Sequence, residues 1–299
     1  MSFLSIFSCS TFKIADNHVS KKMKSASMQC QRKVIKGDTV EYWDSQSDKP
    51  PLMLIHGFGA TTRFQWFKQV EMLSEHYRVI LPNLLHFGNS FPSIEKFSLD
   101  HQVDLVSNLA DDLGLDKFIL GGVSYGGGVS IEYANKNQDR VEKLIIIDSP
   151  IKFMFASDIK NICNTFKVES IEELFVPSNP KGLKKLWYLS TSKKSLLPAF
   201  MFKEFHEKMY VGDLANKRAL MRSLVNDMNK YAKHEYSLEM PILLVWGSND
   251  MVVPVERGKM LHDYLGENSE FHVIFKGGHV VNLNKTKEFN KILGNFLGI

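Results

Sequence analysis

The sequence predicts an α/β fold: a mostly parallel central sheet with helices on both faces, interrupted by a helical cap insertion. Three observations carry this. From about residue 32 onward, short strand-like runs alternate with helix-like runs, the order that produces a parallel sheet covered on both sides. Several strand runs, "PLMLIHG" and "EKLIIIDSP" among them, are apolar without alternation, as strands buried on both faces are. Between residues 151 and 237 that rhythm stops, and segments rich in Phe, Met and Leu take its place. The expected division is an N-terminal extension over 1–31, a core over 32–150 and 238–299, and a helical cap over 151–237.

Taken in order, the chain begins with "MSFLSIFSCSTF", an apolar run followed by basic and polar residues. It is too short to span a bilayer and lacks the basic start and small-residue cleavage site of a secretory signal. Ile6-Phe7-Ser8 before Cys9 partly matches a bacterial lipoprotein cleavage box, with Phe7 out of pattern and nothing basic before it. The expectation is a peripheral, partly helical extension packed on the surface of a cytoplasmic protein. Membrane anchorage through this segment, or export, is the alternative.

"KVIKGDTVEYW" reads as a hairpin turning at Lys36-Gly37-Asp38. "PLMLIHG" is a buried strand, and "FQWFKQVEML" a helix with Phe64, Phe67, Val70 and Leu73 on one side. "YRVILPNLL" is the next strand, and "LDHQVDLVSNLADDLG" a helix stopped by Gly114. "KFILGG", "GVSIEYANKNQ" and "EKLIIIDSP" repeat strand, helix, strand. Beyond the cap come the strand "PILLVWG", the helix "VERGKMLHDYLG", the strand "FHVIFKGG" and a last helix "TKEFNKILGNFLG". The cap should lie over the strand C-termini, where open α/β sheets hold ligands. Most of its apolar residues should pack it onto the core, and a minority should line a pocket.

Composition excludes several classes of function. Hydrophobic residues at 44% and charged residues at 23% are ordinary for a globular chain, so disorder is not the reading. Cys9, Cys30 and Cys163 form no CxxC and no metal-ligand spacing, which argues against a disulfide framework or a metal centre. The net charge of +4 is mild, with no evident basic element carrying base-reading partners, so nucleic acid is not an expected partner.

The chemistry centres on "GGVSYGGGVS", residues 121–130. Gly122-Val123-Ser124-Tyr125-Gly126 falls between a strand and a helix and matches G-x-S-x-G. A turn this tight excludes a β-carbon on either flank and lifts the serine hydroxyl above the sheet edge. The helix that follows aims free N–H groups at that hydroxyl. A phosphate loop would need Lys and Ser/Thr after Gly126, where Gly127-Gly128 stand instead, and GxGxxG is absent. Ser130 lies within the helix. A serine hydroxyl needs a base, and the base an orienting acid. "LLVWGSNDMVVP" brings Asp250 to the end of one strand, and "HVIFKGGHVV" brings His279 to the end of another. Parallel strands put both on the edge that carries Ser124. Asp148, ending "LIIIDSP", is the competing acid, and Asp250 has the better turn. "HGFG", residues 56–59, gives a glycine-permitted turn after an early strand. The backbone N–H groups of Phe58 and Tyr125 are the candidate oxyanion donors, and His56 is expected to brace its turn.

With these residues in place the sequence resembles the α/β-hydrolase superfamily, and within it the capped branch that reads "HGFG…GxSxGG…GxxD…GH". That branch holds esterases, monoacylglycerol-type lipases and serine C–C bond hydrolases acting on ring-cleavage products. The resemblance runs from about residue 32 to the C-terminus. It implies Ser124 as nucleophile, His279 as general base and acid, Asp250 as orienting acid, and no metal or other cofactor. Related enzymes with an aspartate nucleophile are set aside, because Ser124 occupies that position. One departure is visible: relatives commonly read D-x-P-G-x-G-x-S where this chain has "PNLLHFGNS", with Asn83 for the aspartate and Leu85-His86 for Pro-Gly. His86 and Phe87 of this loop, with Trp246 and Val280, are the expected pocket lining.

The leading expectation is hydrolysis of a small-molecule carboxylic ester with a medium or longish apolar acyl chain, through an acyl-serine intermediate, because a Phe- and Met-rich cap adapts to greasy groups. The same triad could cleave a C–C bond in a vinylogous diketone, which calls for a clamp on the substrate carboxylate such as Arg63 or Arg222. A third expectation, of another class, is a hydrolase-fold ligand receptor with little turnover.

Overall fold

The computed structural model describes residues 10–59, 61–150, 152–210 and 212–299. The Ile6-to-Cys9 box lies outside the described residues. Ser10 opens helix α1 (Thr11–Ser25), its side chain accepting the Lys13 N–H. Val19 and Met23, four residues apart, are buried on one face of α1 and join an apolar layer with Trp66, Val70 and Phe289.

Strands β1 (Gln29–Ile35) and β2 (Asp38–Asp44) form the expected antiparallel hairpin. Lys36 and Gly37 both take positive φ, 50° and 91°, the backbone that matches the twist of the flanking strands. Strand β3 (Pro51–Ile55) follows. The "FQWFKQVEML" run is not one helix but two, α2 (Thr62–Trp66) and α3 (Val70–Ser74). The break falls at buried Gln69, whose amide donates to the Asn282 carbonyl (3.0 Å) and to Asn290 Oδ1 (2.8 Å). Those tertiary bonds outweigh helical continuity at that point.

Strand β4 (Arg78–Pro82) leads to helix α4 (Leu99–Asp112), opened by the Ser98 side chain and closed at Gly114 with φ 63°. Then come β5 (Phe118–Val123), α5 (Tyr125–Lys136) and β6 (Val141–Ile147). Five helices and no described strand occupy the interval before the sheet resumes: α6 (Ala156–Phe166), α7 (Ile171–Phe175), α8 (Pro180–Thr191), α9 (Ala199–Met209) and α10 (Leu214–Lys233). The chain ends with β7 (Ile242–Gly247), α11 (Val255–Leu265), β8 (Ser269–Ile274), α12 (Val281–Asn284) and α13 (Thr286–Leu297).

The eight strands form one sheet in the order β1-β2-β4-β3-β5-β6-β7-β8, antiparallel through β1, β2 and β4 and parallel from β4 to β8. Side chains alternate across it with the strand period of two. Met53, Leu120, Ile146 and Leu244 enter one apolar layer, and Leu52, Ile119, Ile145 and Leu243 enter the other. This explains the unbroken apolar strands, since each face has helices to pack against. The C-terminal ends of β3, β5, β6, β7 and β8 therefore share one edge.

Candidate active site

Ser124 sits between β5 and α5 with φ 53° and ψ −120°, a backbone region that costs a non-glycine residue about 1–3 kcal/mol. Surrounding bonds hold it there. The Ser124 N–H donates to the Ile147 carbonyl (2.8 Å), and the Ser124 carbonyl accepts from Gly127 N–H (2.9 Å) and the Ser149 hydroxyl (2.6 Å). The flanking glycines are a steric requirement. A β-carbon on Gly122 would stand 2.2 Å from the Gly126 carbonyl oxygen, and one on Gly126 would stand 2.5 Å from that of His56.

His279 and Asp250 complete a chain of contacts with Ser124. His279 Nε2 lies 2.7 Å from Ser124 Oγ, and Nδ1 lies 2.8 Å from Asp250 Oδ2. A carboxylate only accepts, so Nδ1 carries the proton and Nε2 is left with a lone pair facing the serine hydroxyl. Asp250 is fixed in turn by its own loop, Oδ1 accepting from Val252 N–H (2.7 Å) and Val253 N–H (3.0 Å). Asn282, three residues past His279, braces the histidine loop: its Oδ1 accepts from Gln65 Nε2 (3.0 Å) and its Nδ2 donates to the Gln65 carbonyl (2.8 Å). Sequence reading missed this clamp, because a Gln–Asn pair 217 positions apart leaves no local signal.

Asp148, the competing acid, does not reach the histidine. Its oxygens accept from Gly247 N–H (2.8 Å) and Val281 N–H (3.4 Å), tying together the loops after β7 and β8. Complete burial, and then the neighbouring Asp250 charge, push the Asp148 carboxyl well above the usual carboxylate range.

The "HGFG" turn lies against the elbow. A β-carbon on Gly57 would be 3.4 Å from the Val123 carbonyl oxygen and 3.5 Å from Ser124 Cβ. Tyr125 is the first residue of α5, where a helix leaves its N–H without an intrahelical acceptor. Phe58 packs its ring edge-on against Phe87 and Tyr125 at centroid distances of 5.2 and 5.9 Å. His56 braces this turn, with Nδ1 donating to the Gly57 carbonyl (2.8 Å) and Nε2 accepting from Leu84 N–H (3.0 Å). Burial lowers its imidazole from 6.5 to about 4, so it stays neutral and keeps both bonds.

Ser124 and His279 open onto a cavity of about 860 Å³ whose lining is mostly apolar, with Phe58, Phe175, Leu183, Leu186, Phe205 and Val280 prominent. Ser124 also lines a second, smaller apolar chamber of about 50 Å³ with Ile162, Met221, Leu224, Met228 and Val252. Of the four expected lining residues, only Val280 meets the large cavity. His86 and Phe87 line a neighbouring cleft of about 590 Å³ that does not include Ser124. His86 is turned away: its ring stacks on Phe97 (5.1 Å), and Nε2 donates to the Lys96 carbonyl (2.7 Å). Trp246 is fully buried, its indole N–H donating to the Val253 carbonyl (3.1 Å) and its ring packed against Gly258 and Phe271.

The structure adds a wall that the sequence did not announce. Ala15, His18 and Val19 of α1 line the large cavity. The helix is fastened to α9 by Ser10 and Thr11, which both bond Glu204, and to α2 by the Asp16–Arg63 pair. The i, i+4 spacing of Ala15, Val19 and Met23 behind the Ser10 cap was the available hint. It marks an amphipathic helix and not what the helix covers.

The family model for the alpha/beta hydrolase fold matches residues 50–286. Monoacylglycerol lipase ABHD6 of Bos taurus is 24% identical over 266 residues, covering 83% of this chain and 75% of that protein. The 2-hydroxymuconate semialdehyde hydrolase of Pseudomonas sp. (strain CF600) is 24% identical over 260 residues, covering 83% and 86%. The crystal structure of a bacterial membrane phospholipase A superposes with a TM-score of 0.81 at 24% identity, covering 96% of this chain and 92% of that one.

Proposed function

This chain belongs to the alpha/beta hydrolase fold family, and from that footing we propose that it is a serine hydrolase cleaving a carboxylic ester with an apolar acyl group. The observation that carries the reading is the Ser124–His279–Asp250 relay, at 2.7 and 2.8 Å, opening onto a large apolar cavity.

In the proposed cycle His279 Nε2 takes the Ser124 proton as Oγ attacks the ester carbonyl. The negative charge formed on the carbonyl oxygen is met by the N–H groups of Phe58 and Tyr125, with the α5 dipole behind them. Asp250 holds the imidazole in the tautomer that presents Nε2 and stabilises its cationic form. Collapse releases the alcohol, protonated by His279, and leaves an acyl-serine. Water, deprotonated by the same imidazole, then hydrolyses the acyl group and restores Ser124.

The fate of the two arginines supports an ester over a carboxylate-bearing diketone. Arg63 pairs with Asp16 and lines the neighbouring cleft, while Arg222 is exposed and clamped by Glu172. No arginine is among the described residues that line the Ser124 cavity; of its lysines, Lys68 donates to the Leu283 carbonyl (2.8 Å), and Lys193 and Lys194 are exposed to solvent.

A panel of p-nitrophenyl esters graded by chain length tests the reading. Each buried methylene gives about 0.8 kcal/mol, so kcat/KM should climb roughly fourfold per added CH₂ until the cavity is filled. Turnover of none of these esters by the wild-type chain would sink the proposal, and fluorophosphonate labelling without turnover would favour the receptor reading.

A further inference from the structure

The segment 181–208, which spans α8 and α9, carries seven lysines and two glutamates, a net +5 in a chain whose total is +4. The rest of the molecule is close to neutral. Both glutamates are engaged: Glu204 by Ser10 and Thr11, and Glu207 by Lys203. Among the described residues, none of Lys181, Lys184, Lys185, Lys193 and Lys194 pairs with a carboxylate. The whole-chain charge averages this cluster away, which is why no basic element stood out in the sequence.

The same segment exposes large apolar side chains. Leu196 is 99% exposed, Phe200 61%, Trp187 43% and Leu197 37%. Exposed apolar groups gathered on one segment, unlike scattered ones, mark an interaction surface. Their position is specific. Trp187, Lys193, Lys194, Leu196 and Leu197 all line the cavity that contains Ser124, so the apolar and basic groups stand at the cavity's rim.

We propose that this rim docks onto an anionic lipid surface. Leu196, Leu197, Trp187 and Phe200 would enter the headgroup–acyl boundary, with the lysines level with the phosphates. Charge complementarity favours an anionic surface, and the protruding leucines and aromatics favour a bilayer over a nucleic acid. The docked geometry lets an apolar substrate pass from the lipid to Ser124 without crossing bulk water. That delivery step rests on the ester-hydrolase reading, whereas the docking does not.

The test is co-sedimentation of full-length Ser124→Ala protein with vesicles of phosphatidylglycerol and phosphatidylcholine, against vesicles of phosphatidylcholine alone. Binding should need phosphatidylglycerol and weaken as salt rises. Each lysine near the surface is worth about fivefold in partitioning, so Lys193→Gln with Lys194→Gln should weaken it on the order of 20-fold. Leu196→Asp with Phe200→Asp should lower it by at least roughly 10-fold through loss of inserted apolar area. These positions are exposed, so melting curves should match the parent. Absence of binding to the phosphatidylglycerol vesicles overturns the proposal. So does binding that both double variants leave unchanged, or binding to a single-stranded RNA with none to vesicles. Because the vesicle assay uses the inactive variant, docking without ester turnover refutes the activity alone, and turnover without docking refutes the surface alone.

Discussion

Acid should destabilise the fold through His56, and the size of the effect follows from its burial. The His56 ring is wholly buried and held at about 4 rather than 6.5. The folded state thus keeps the ring neutral while the unfolded chain takes up a proton. His56 therefore contributes stability that is full above about pH 6.5 and drains as the pH falls toward 4. With those two values the linkage gives a loss of about 2 kcal/mol by pH 5 and about 3 kcal/mol by pH 4. Carboxylates titrate over part of this range, so the measurement is a difference. Urea unfolding of wild type and His56→Gln should be run from pH 7.5 to 4.5, with stability extrapolated at each pH. The variant should be the less stable at pH 7.5, because Leu84 N–H loses its acceptor, and its deficit should shrink by about 2 kcal/mol by pH 5. The native Gly57–Phe58 turn itself should hold until the pH nears 4, where the folded ring takes up its proton. Parallel stability curves for the two proteins would refute the reasoning, since they would show that His56 titrates alike in both states.

Replacing His279 with alanine should cut kcat by about 10⁴- to 10⁶-fold, read with the best p-nitrophenyl ester. The fold should survive, because Asp250 keeps the Val252 and Val253 N–H donors. Mass spectrometry after a fluorophosphonate probe should find one adduct on wild type and none on Ser124→Ala; an adduct on the variant would move the nucleophile elsewhere. Gly126→Ala should destabilise by about 1–3 kcal/mol or more and abolish turnover, because its methyl meets fixed backbone oxygens at 2.5 and 2.6 Å. Gly128→Ala, in the same helix, meets only the flexible end of Leu99 at 3.3 Å and should be neutral or gain up to about 1 kcal/mol, as urea midpoints would show. Asp148 is raised by burial, so its share of stability is full below the unfolded carboxyl value of about 3.9 and is lost as pH rises through the folded one. Asp148→Asn, neutral at every pH, should gain on wild type as pH rises from about 4 toward 8, and a flat difference would mean that Asp148 ionises normally.

The parts of this site that were legible in the sequence are those where chemistry dictates residue type and order. Ser124, Asp250 and His279 stand just past β5, β7 and β8, parallel strands of one sheet, so strand assignment alone puts them on one edge, and the structure brings them within hydrogen-bond distance. Gly122 and Gly126, which flank Ser124, were legible for the same reason. Pocket lining was not legible, because it depends on which way a side chain leaves the backbone. Trp246 could have been excluded by its place within β7, whose residues all pack into the layers on the two faces of the sheet instead of standing past the strand end. For His86 no such count exists. Its φ of 72° and the stacking on Phe97 turn it from Ser124, and neither is written in "PNLLHFGNS". The wall supplied by α1 depends on where a helix lands, which its own residues do not specify. The cap poses the opposite case. Its lysines and exposed leucines were in plain view, but a whole-chain charge and a helical periodicity test both average over the length on which a surface works. A rim is a property of about thirty residues and one cavity mouth, and only folding brings Leu196 and Lys193 to the same opening as Ser124.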